Sequence, residues 1–330
     1  MTNSPGTLLL ARADISELLG LDECITVVHE AFRQHGEGRT ATPKVLGMPA
    51  ADGGFHIKAA LLGLSTPYFA AKLNGNFFHN HQRFGMPNIQ GLIVLCDANN
   101  GYPLAVMDSI EITILRTGAA TAVAARHLAR PDSKVATICG CGNQGKIQLR
   151  ALRRVLPLQH VYAFDLNESR ARGFAREFSQ ELGIEVEVVQ ELATAVRKSD
   201  VCVTCTPAKK YFLHRDCVAP GTFLAAVGAD NEEKQELDPR LLASSKVVAD
   251  ILDQCVEIGD LHHALAQGLI ERGSVHAELG EVVAGKKPGR TSKDEITVFD
   301  STGTALQDVA AAAVVYERAT LQECGTRFRF

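Results

Sequence analysis

From Lys134 onward the chain alternates strand-like apolar runs with helix-like amphipathic segments, and this alternation constrains the fold more than any other feature. Strands are predicted at Lys134–Cys139, His160–Asp165, Glu185–Val189 and Val201–Thr206, with helices at Gly145–Val155, Glu168–Leu182 and Leu192–Val196 between them. Strands at Thr222–Val227 and Lys246–Ala249 follow, then helical segments from Cys255 to Ala284. Each helix must carry the chain back across the sheet before the next strand can run the same way. The expected fold class is therefore α/β, a Rossmann-type doubly wound parallel sheet.

The turn after the first of these strands reads Gly140-Cys141-Gly142-Asn143-Gln144-Gly145 and opens a helix. In that context the first glycine permits a tight turn, the second lets backbone approach a pyrophosphate, and the third lets helix and strand pack closely. Asp165 ends the next strand, twenty residues beyond Gly145, where a carboxylate accepts the ribose hydroxyls of a dinucleotide. A carboxylate there repels a 2′-phosphate, and Leu166-Asn167-Glu168 supplies no compensating arginine, so NAD is expected over NADP. Thr206-Pro207, at the end of the fourth strand, falls near the adenine or ribose by topology, although an ordinary strand-end turn fits equally well.

Upstream the grammar differs. A strand at Thr7–Ala11 precedes two helices, for which Asp14 and Asp22 are the expected N-caps. Strands at Phe55–Ala60, Tyr68–Leu73, Gly91–Cys96 and Leu104–Met107 read as a meander, with Asp52-Gly53-Gly54 and Asn99-Asn100-Gly101 as turns. Glu111–Leu128 is an Ala-rich connecting helix, and a second one at Asp308–Glu317 is expected to fold back on the first domain. At 330 residues the chain exceeds what one core usually supports, so a Rossmann domain over 119–303 is expected, inserted into a smaller α+β domain over 1–118 plus 304–330.

Bulk properties exclude several classes. Net charge is −4 with no basic run, which argues against nucleic acid. No apolar run approaches the ~20 residues of a membrane span, and no signal peptide is read at the N-terminus, so a cytoplasmic protein is expected. Nine scattered cysteines fit reduced thiols, and neither Cys139-Gly-Cys141 nor Cys202-Val-Thr-Cys205 has partners at zinc spacing, so no metal is expected.

The run Asp97-Ala98-Asn99-Asn100-Gly101-Tyr102-Pro103-Leu104-Ala105-Val106-Met107-Asp108, continuing through Glu111-Ile112-Thr113 and Arg116-Thr117-Gly118-Ala119-Ala120, resembles the ornithine cyclodeaminase/mu-crystallin family. Gly228-Ala229-Asp230, Gln235-Glu236-Leu237-Asp238-Pro239, Glu257-Ile258-Gly259-Asp260 and Phe299-Asp300-Ser301-Thr302-Gly303 extend the resemblance in the family's order. It implies a homodimer whose first domain carries the substrate site and the dimer sheet. Its enzymes transfer hydride between nicotinamide and an amino-acid α-carbon.

Three residues match the family's working positions. Lys72 and Arg116 match cations that hold the substrate carboxylate, although either could be a surface salt-bridge partner. Arg116 sits in an Ala/Ile/Leu helix, where an unpaired charge is expensive, which favours the anion-binding role. Asp230 matches the catalytic acid–base group, and its alternative is the N-cap of a following helix.

Departures are informative. Thr42-Pro43-Lys44 stands where the family usually has Pro-Pro-Arg, so Lys44 keeps a charge without the bidentate fork. His56-Ile57-Lys58-Ala59-Ala60 adds a cation and lacks the acid that ornithine-type cyclodeaminases place near His56. A substrate without a distal ammonium is expected, either neutral or carrying a second anion read by Lys58, unless Lys58 points to solvent. An NAD-dependent amino-acid dehydrogenase or imine reductase is the leading expectation. A cyclodeaminase that recycles NAD internally, and a non-catalytic binding protein, are the alternatives.

Overall fold

The computed structural model describes residues 6–329, in two compact units: Met1–Arg116 with Thr304–Phe330, and Thr117–Gly303. The first opens with β1 (Thr7–Leu10), α1 (Arg12–Leu18) and α2 (Leu21–Gly36). Neither aspartate caps its helix as expected. The α1 N-cap is Ala11, whose N–H donates to the Asp14 carboxylate at 2.8 Å, and the α2 N-cap is Gly20, with Asp22 inside the first turn. Both acids still favour the positive helix ends, three and two residues beyond the respective caps. Along α2, Cys24, Ile25, Val28, Ala31 and Phe32 form the buried stripe, at the spacing of one helical face.

The strands that follow are β2 (Lys44–Ala50), β3 (Gly53–Gly63), β4 (Pro67–Asn76), β5 (Ile89–Asp97) and β6 (Pro103–Asp108), with a short α3 (Asn80–Phe84) before β5. They pair antiparallel in sequence order, and β1 adds parallel to β6. β2 was not anticipated; its seven residues are all exposed, so no alternation marks it. Along β3 and β4 alternation is clear. Lys58, Ala60 and Leu62 are buried, as are Tyr68, Ala70, Lys72 and Asn74, while Phe55, Leu61 and Leu73 are exposed.

Helix α4 (Ile110–Leu128) leads into the second unit, where β7 (Val135–Cys139), α5 (Asn143–Arg153), β8 (His160–Phe164), α6 (Glu168–Leu182), β9 (Glu185–Val188), α7 (Leu192–Arg197) and β10 (Val201–Thr204) follow in turn. Then come β11 (Phe223–Ala226), α8 (Pro239–Ala243), β12 (Lys246–Ala249), α9 (Leu252–Ile258), α10 (Asp260–Ala266), β13 (Ala277–Glu278), α11 (Leu279–Val283) and β14 (Thr297–Asp300). The sheet is parallel throughout, in the order β13-β12-β14-β11-β10-β7-β8-β9. Order reverses between β7 and β10, the crevice where such sheets take ligands. β14 was not read as a strand, yet it is fully buried between β11 and β12. The helical segments expected from Cys255 to Ala284 are α9, α10 and α11, with the two-residue strand β13 before the last. Gly259, extended and pressed against the Asp300 carboxylate, separates the first two.

The chain then returns to the first unit as α12 (Ala305–Leu321) and β15 (Thr326–Phe328), the latter pairing antiparallel with β1. α12 lies against α2, β3 and β4 and is buried almost all round from Ala305 to Val315. Its alanines allow close approach to the sheet. One of its few charges is Asp308.

Candidate functional site

In the second unit the strand-to-helix turn forms an open cradle. Gly140 has φ 99°, and a Cβ there would lie 2.8 Å from the Cys205 carbonyl oxygen. A Cβ on Gly145 would strike the Gly140 carbonyl oxygen, whereas one on Gly142 would meet nothing within 4 Å. Gly142 is thus bare on the side a phosphate would approach. It also caps α5, whose first-turn N–H groups have no side-chain acceptor at the cap. Asn143 and Gln144 open that helix, and the buried Gln144 Oε1 lacks a hydrogen-bond partner.

Asp165 follows β8 and is fixed in place by the glycine turn and by its own loop. Its carboxylate accepts from Cys141 N–H at 2.9 Å and from Asn167 N–H at 2.8 Å. The residues fit a dinucleotide: a bare glycine cradle at a helix N-terminus, with an oriented carboxylate one strand over. One neighbour was missed in the sequence. Arg170 Nη1 lies 3.6 Å from Asp165, brought back by the first turn of α6.

Thr206 and Pro207 follow β10, whose Thr204 pairs with Cys139 beside the cradle. Thr206 donates its N–H at 2.6 Å and its hydroxyl at 2.7 Å to Glu236, and Gly228 N–H donates to the same carboxylate at 3.0 Å. Glu236 therefore ties the ends of two adjacent strands. Burial, then the nearby Asp260 charge, pushes its carboxyl up to about 7, and burial pushes Asp260 up to about 6. Asp230 stands just past Gly228, with Lys234 Nζ 2.6 Å from its carboxylate. No helix follows it directly; the next is α8, capped by Asp238, so the N-cap alternative for Asp230 falls away.

In the first unit, Lys58, Lys72 and Arg116 come together around Asp308. Lys72 Nζ lies 2.9 Å and 2.8 Å from the two Asp308 oxygens and 3.4 Å from the Thr113 hydroxyl. Arg116 donates from Nη1 to Gln307 at 2.7 Å, and its Nε lies 3.1 Å from Asp308 but off the hydrogen-bond axis. Arg116 Nε, Gln307 Nε2 and Asp308 Oδ2 are buried without hydrogen-bond partners. Lys58 is the register partner of Lys72 across β3 and β4, and half-buried His56 follows on the same face. Lys44 does not join them: it is exposed and pairs with Ala59, which places it on the opposite face of the sheet.

Burial pulls Lys72 down to about 7, helped by the Arg116 charge and opposed by Asp308. Burial also works against an ionised Asp308, yet the Lys72 and Arg116 charges hold its carboxyl below its ordinary value. Asp308 was missed as a site residue. Its signal was present, a lone acid in the run Leu306-Gln307-Asp308-Val309-Ala310.

Replacing Asp308→Ala leaves two buried cations without their shared anion and is expected to cost about 3–5 kcal/mol, read as a lowered urea midpoint; an unchanged midpoint would show the cluster to be solvated. Asp165→Ser removes the carboxylate but leaves Arg170 to meet a 2′-phosphate. Fluorescence titration is expected to show the NADPH/NADH affinity ratio rising by ~10–100-fold, the scale of a charged hydrogen bond. A fixed ratio would deny Asp165 that role.

The model of the ornithine cyclodeaminase/mu-crystallin family matches residues 6–323. An archaeal alanine dehydrogenase dimer with bound NAD superposes with a TM-score of 0.94 at 40% identity, covering 98% of this chain and 99% of that one. The Δ1-pyrroline-2-carboxylate reductase of Thermococcus litoralis, in complex with NADH and L-proline, gives 0.92 at 34% identity, covering 98% and 100%. The iminosuccinate reductase of Paracoccus denitrificans is 37% identical over 267 residues, 81% of this chain and 80% of the relative. With the family's motifs in order and its fold reproduced in both units, this chain belongs to the ornithine cyclodeaminase/mu-crystallin family.

Proposed function

We propose that this chain is an NAD(H)-dependent oxidoreductase acting at the α-carbon of a small amino or imino acid, as an amino-acid dehydrogenase or imine reductase. The observation that carries the reading is the buried Lys72–Arg116–Asp308 cluster. Such a cluster, with Arg116 Nε and Gln307 Nε2 making no hydrogen bond, supports an anion-binding role. Gly140, Gly142, Asn143, Gln144, Gly145, Asp165, Thr206 and Pro207 are the residues proposed to hold the cofactor. NAD, when bound, supplies or accepts the hydride exchanged with the substrate carbon.

The chain's own groups then divide the remaining work. Arg116 and Lys72 hold the substrate carboxylate, which fixes the orientation of the adjacent α-carbon. Asp230 gives or takes the proton at the substrate nitrogen, with Lys234 Nζ 2.6 Å from its carboxylate. Relatives that share this frame act on alanine, pyrroline-2-carboxylate and iminosuccinate, which supports chemistry centred on the α-carbon.

The same reading includes a homodimer. Register places Leu46, Ile57, Leu73 and Leu92 on one rung of the outer sheet face, and Lys44, Ala59, Ala71, Val94, Val106 and Leu9 on the next. Leu46, Leu73 and Leu92 are all strongly exposed. A second copy of the chain would bury this apolar face.

Purified protein with NADH, a 2-oxoacid and ammonia or methylamine is expected to consume NADH, followed at about 340 nm, the reduced cofactor's own absorbance. Proline formed from ornithine without net NADH change would replace this reading with a cyclodeaminase. Asp230→Asn is expected to keep NADH binding while lowering kcat by ~100-fold or more; an unaltered kcat would take Asp230 out of the mechanism. Leu92→Glu is expected to shift the sedimenting species from dimer to monomer, and an unshifted dimer would place the interface elsewhere.

A further inference from the structure

Two residues beyond Lys72 on β4 stands Asn74, on the same inward face of the sheet, with the two Cα atoms about 6.6–6.8 Å apart along the strand. It is 9% exposed, so the side chain is buried but not sealed off. Its oxygen is occupied. The fully buried Ser109 hydroxyl donates to Asn74 Oδ1 at 2.7 Å, and Ser109 N–H donates to the Gly91 carbonyl oxygen at 3.0 Å. Gly91 is the register partner of Asn74 on β5, and a Cβ there would strike Asn74 Oδ1 and the Leu73 carbonyl oxygen. The bare glycine is what lets the Asn74 side chain lean over β5 and reach Ser109.

With Oδ1 committed, Nδ2 is turned away from Ser109, and among the described residues nothing accepts from it. A nine-tenths buried amide with two unused N–H donors is costly, and a ligand oxygen relieves that cost. The surroundings indicate which oxygen. Ser109, Thr113 and Arg116 lie at i, i+4 and i+7 along the start of α4 and so share one helix face. Ser109 meets Asn74, Thr113 meets Lys72 Nζ at 3.4 Å, and Arg116 shares the Asp308 carboxylate with Lys72. Asn74 therefore continues the row of donors formed by Arg116 and Lys72. Its Nδ2 only donates, which suits a carboxylate oxygen and not an ammonium.

We propose that Asn74 is a further substrate-binding residue: its Nδ2 donates to one oxygen of the carboxylate that Lys72 and Arg116 hold, and Ser109 and Gly91 keep the amide in that orientation. The inference rests on the oxidoreductase reading above. A lysine ammonium is a point charge and leaves a bound carboxylate free to turn about its bond to the α-carbon. A planar amide donor is directional and removes that freedom, so the α-carbon presents its other substituents in a fixed direction.

Two readouts test it on the wild type, Asn74→Asp and Ser109→Ala. The first is the affinity for propionate, a carboxylate that cannot react, measured by calorimetry. The second is KM and kcat for NADH consumption with pyruvate plus ammonia. Asn74→Asp keeps the side chain's size but replaces its donors with an anion. It is expected to weaken propionate by ~10–100-fold, the range of a hydrogen bond to a charged group, and to raise the pyruvate KM similarly. kcat is expected to move far less, because the contact is made equally in the ground and transition states. Ser109→Ala releases Oδ1 and is expected to act in the same direction, with NADH affinity unchanged in both variants. A lowered melting temperature with propionate affinity and KM intact is the result of a purely structural amide and overturns the proposal, as does a wild type that does not bind propionate. If no oxoacid and amine pair consumes NADH, the oxidoreductase reading fails, and propionate affinity alone then decides the role of Asn74.

Discussion

Inside the first unit Lys72 and Arg116 share one buried carboxylate, that of Asp308, on a helix that returns to the unit after the whole of the second unit has been threaded. The Lys72–Asp308 pair spans 236 residues of sequence. Its carboxylate removes part of the desolvation penalty of both cations but leaves Arg116 Nε without a hydrogen bond. Stability and readiness for an anion are therefore two consequences of one incomplete match. α12 packs on the sheet through alanines, which bring the backbone close enough for a short aspartate side chain to reach Lys72 on β4.

The second unit uses a buried carboxylate differently. Glu236 accepts from Thr206 and Gly228, at the ends of β10 and β11, and Asp260 in turn accepts the backbone N–H groups of Glu236 and Leu237. The strand ends next to the glycine cradle are thus fixed by carboxyls that burial makes reluctant to ionise. The signs of the resulting pH dependence differ between units. Glu236 is raised from 4.5 to about 7, so the folded state holds the extra proton and its contribution is lost as pH rises through that window. Lys72 is lowered from 10.5 to about 7, so the penalty of burying its charge is complete below about 7 and is relieved as pH rises towards 10.5.

What was legible in the sequence was local. The glycine cradle, the carboxylate at Asp165 and the alternation that made the second unit a parallel sheet all follow from residues close in sequence, because each is one supersecondary unit. Arg116 was legible as a charge in an apolar helix. What escaped depends on partners distant in the chain. β14 reads as a short apolar run and becomes a strand only between β11 and β12. Asp308 acquires its role from Lys72 and Arg116, and Arg170 reaches Asp165 only once α6 has turned. Lys44 needed the sheet register: its charge suggested a ligand role, but pairing with Ala59 puts it on the face away from Lys58 and Lys72.

That register links two properties that look independent. Side chains alternate strictly along β3 and β4, so the pairing that turns Lys58 and Lys72 inward also turns Ile57 and Leu73 outward. A slip of one residue would bury the leucine face against α12, expose both lysines and strand Asp308 without its cations. Burial of the hydrocarbon face alone would tolerate that exchange, since Ile57 and Leu73 are as apolar as the core. The ion cluster does not tolerate it, because Asp308 enters from a helix whose position is fixed by α2 and the sheet. The polar site thus selects the register, and the register in turn sets the apolar outer face.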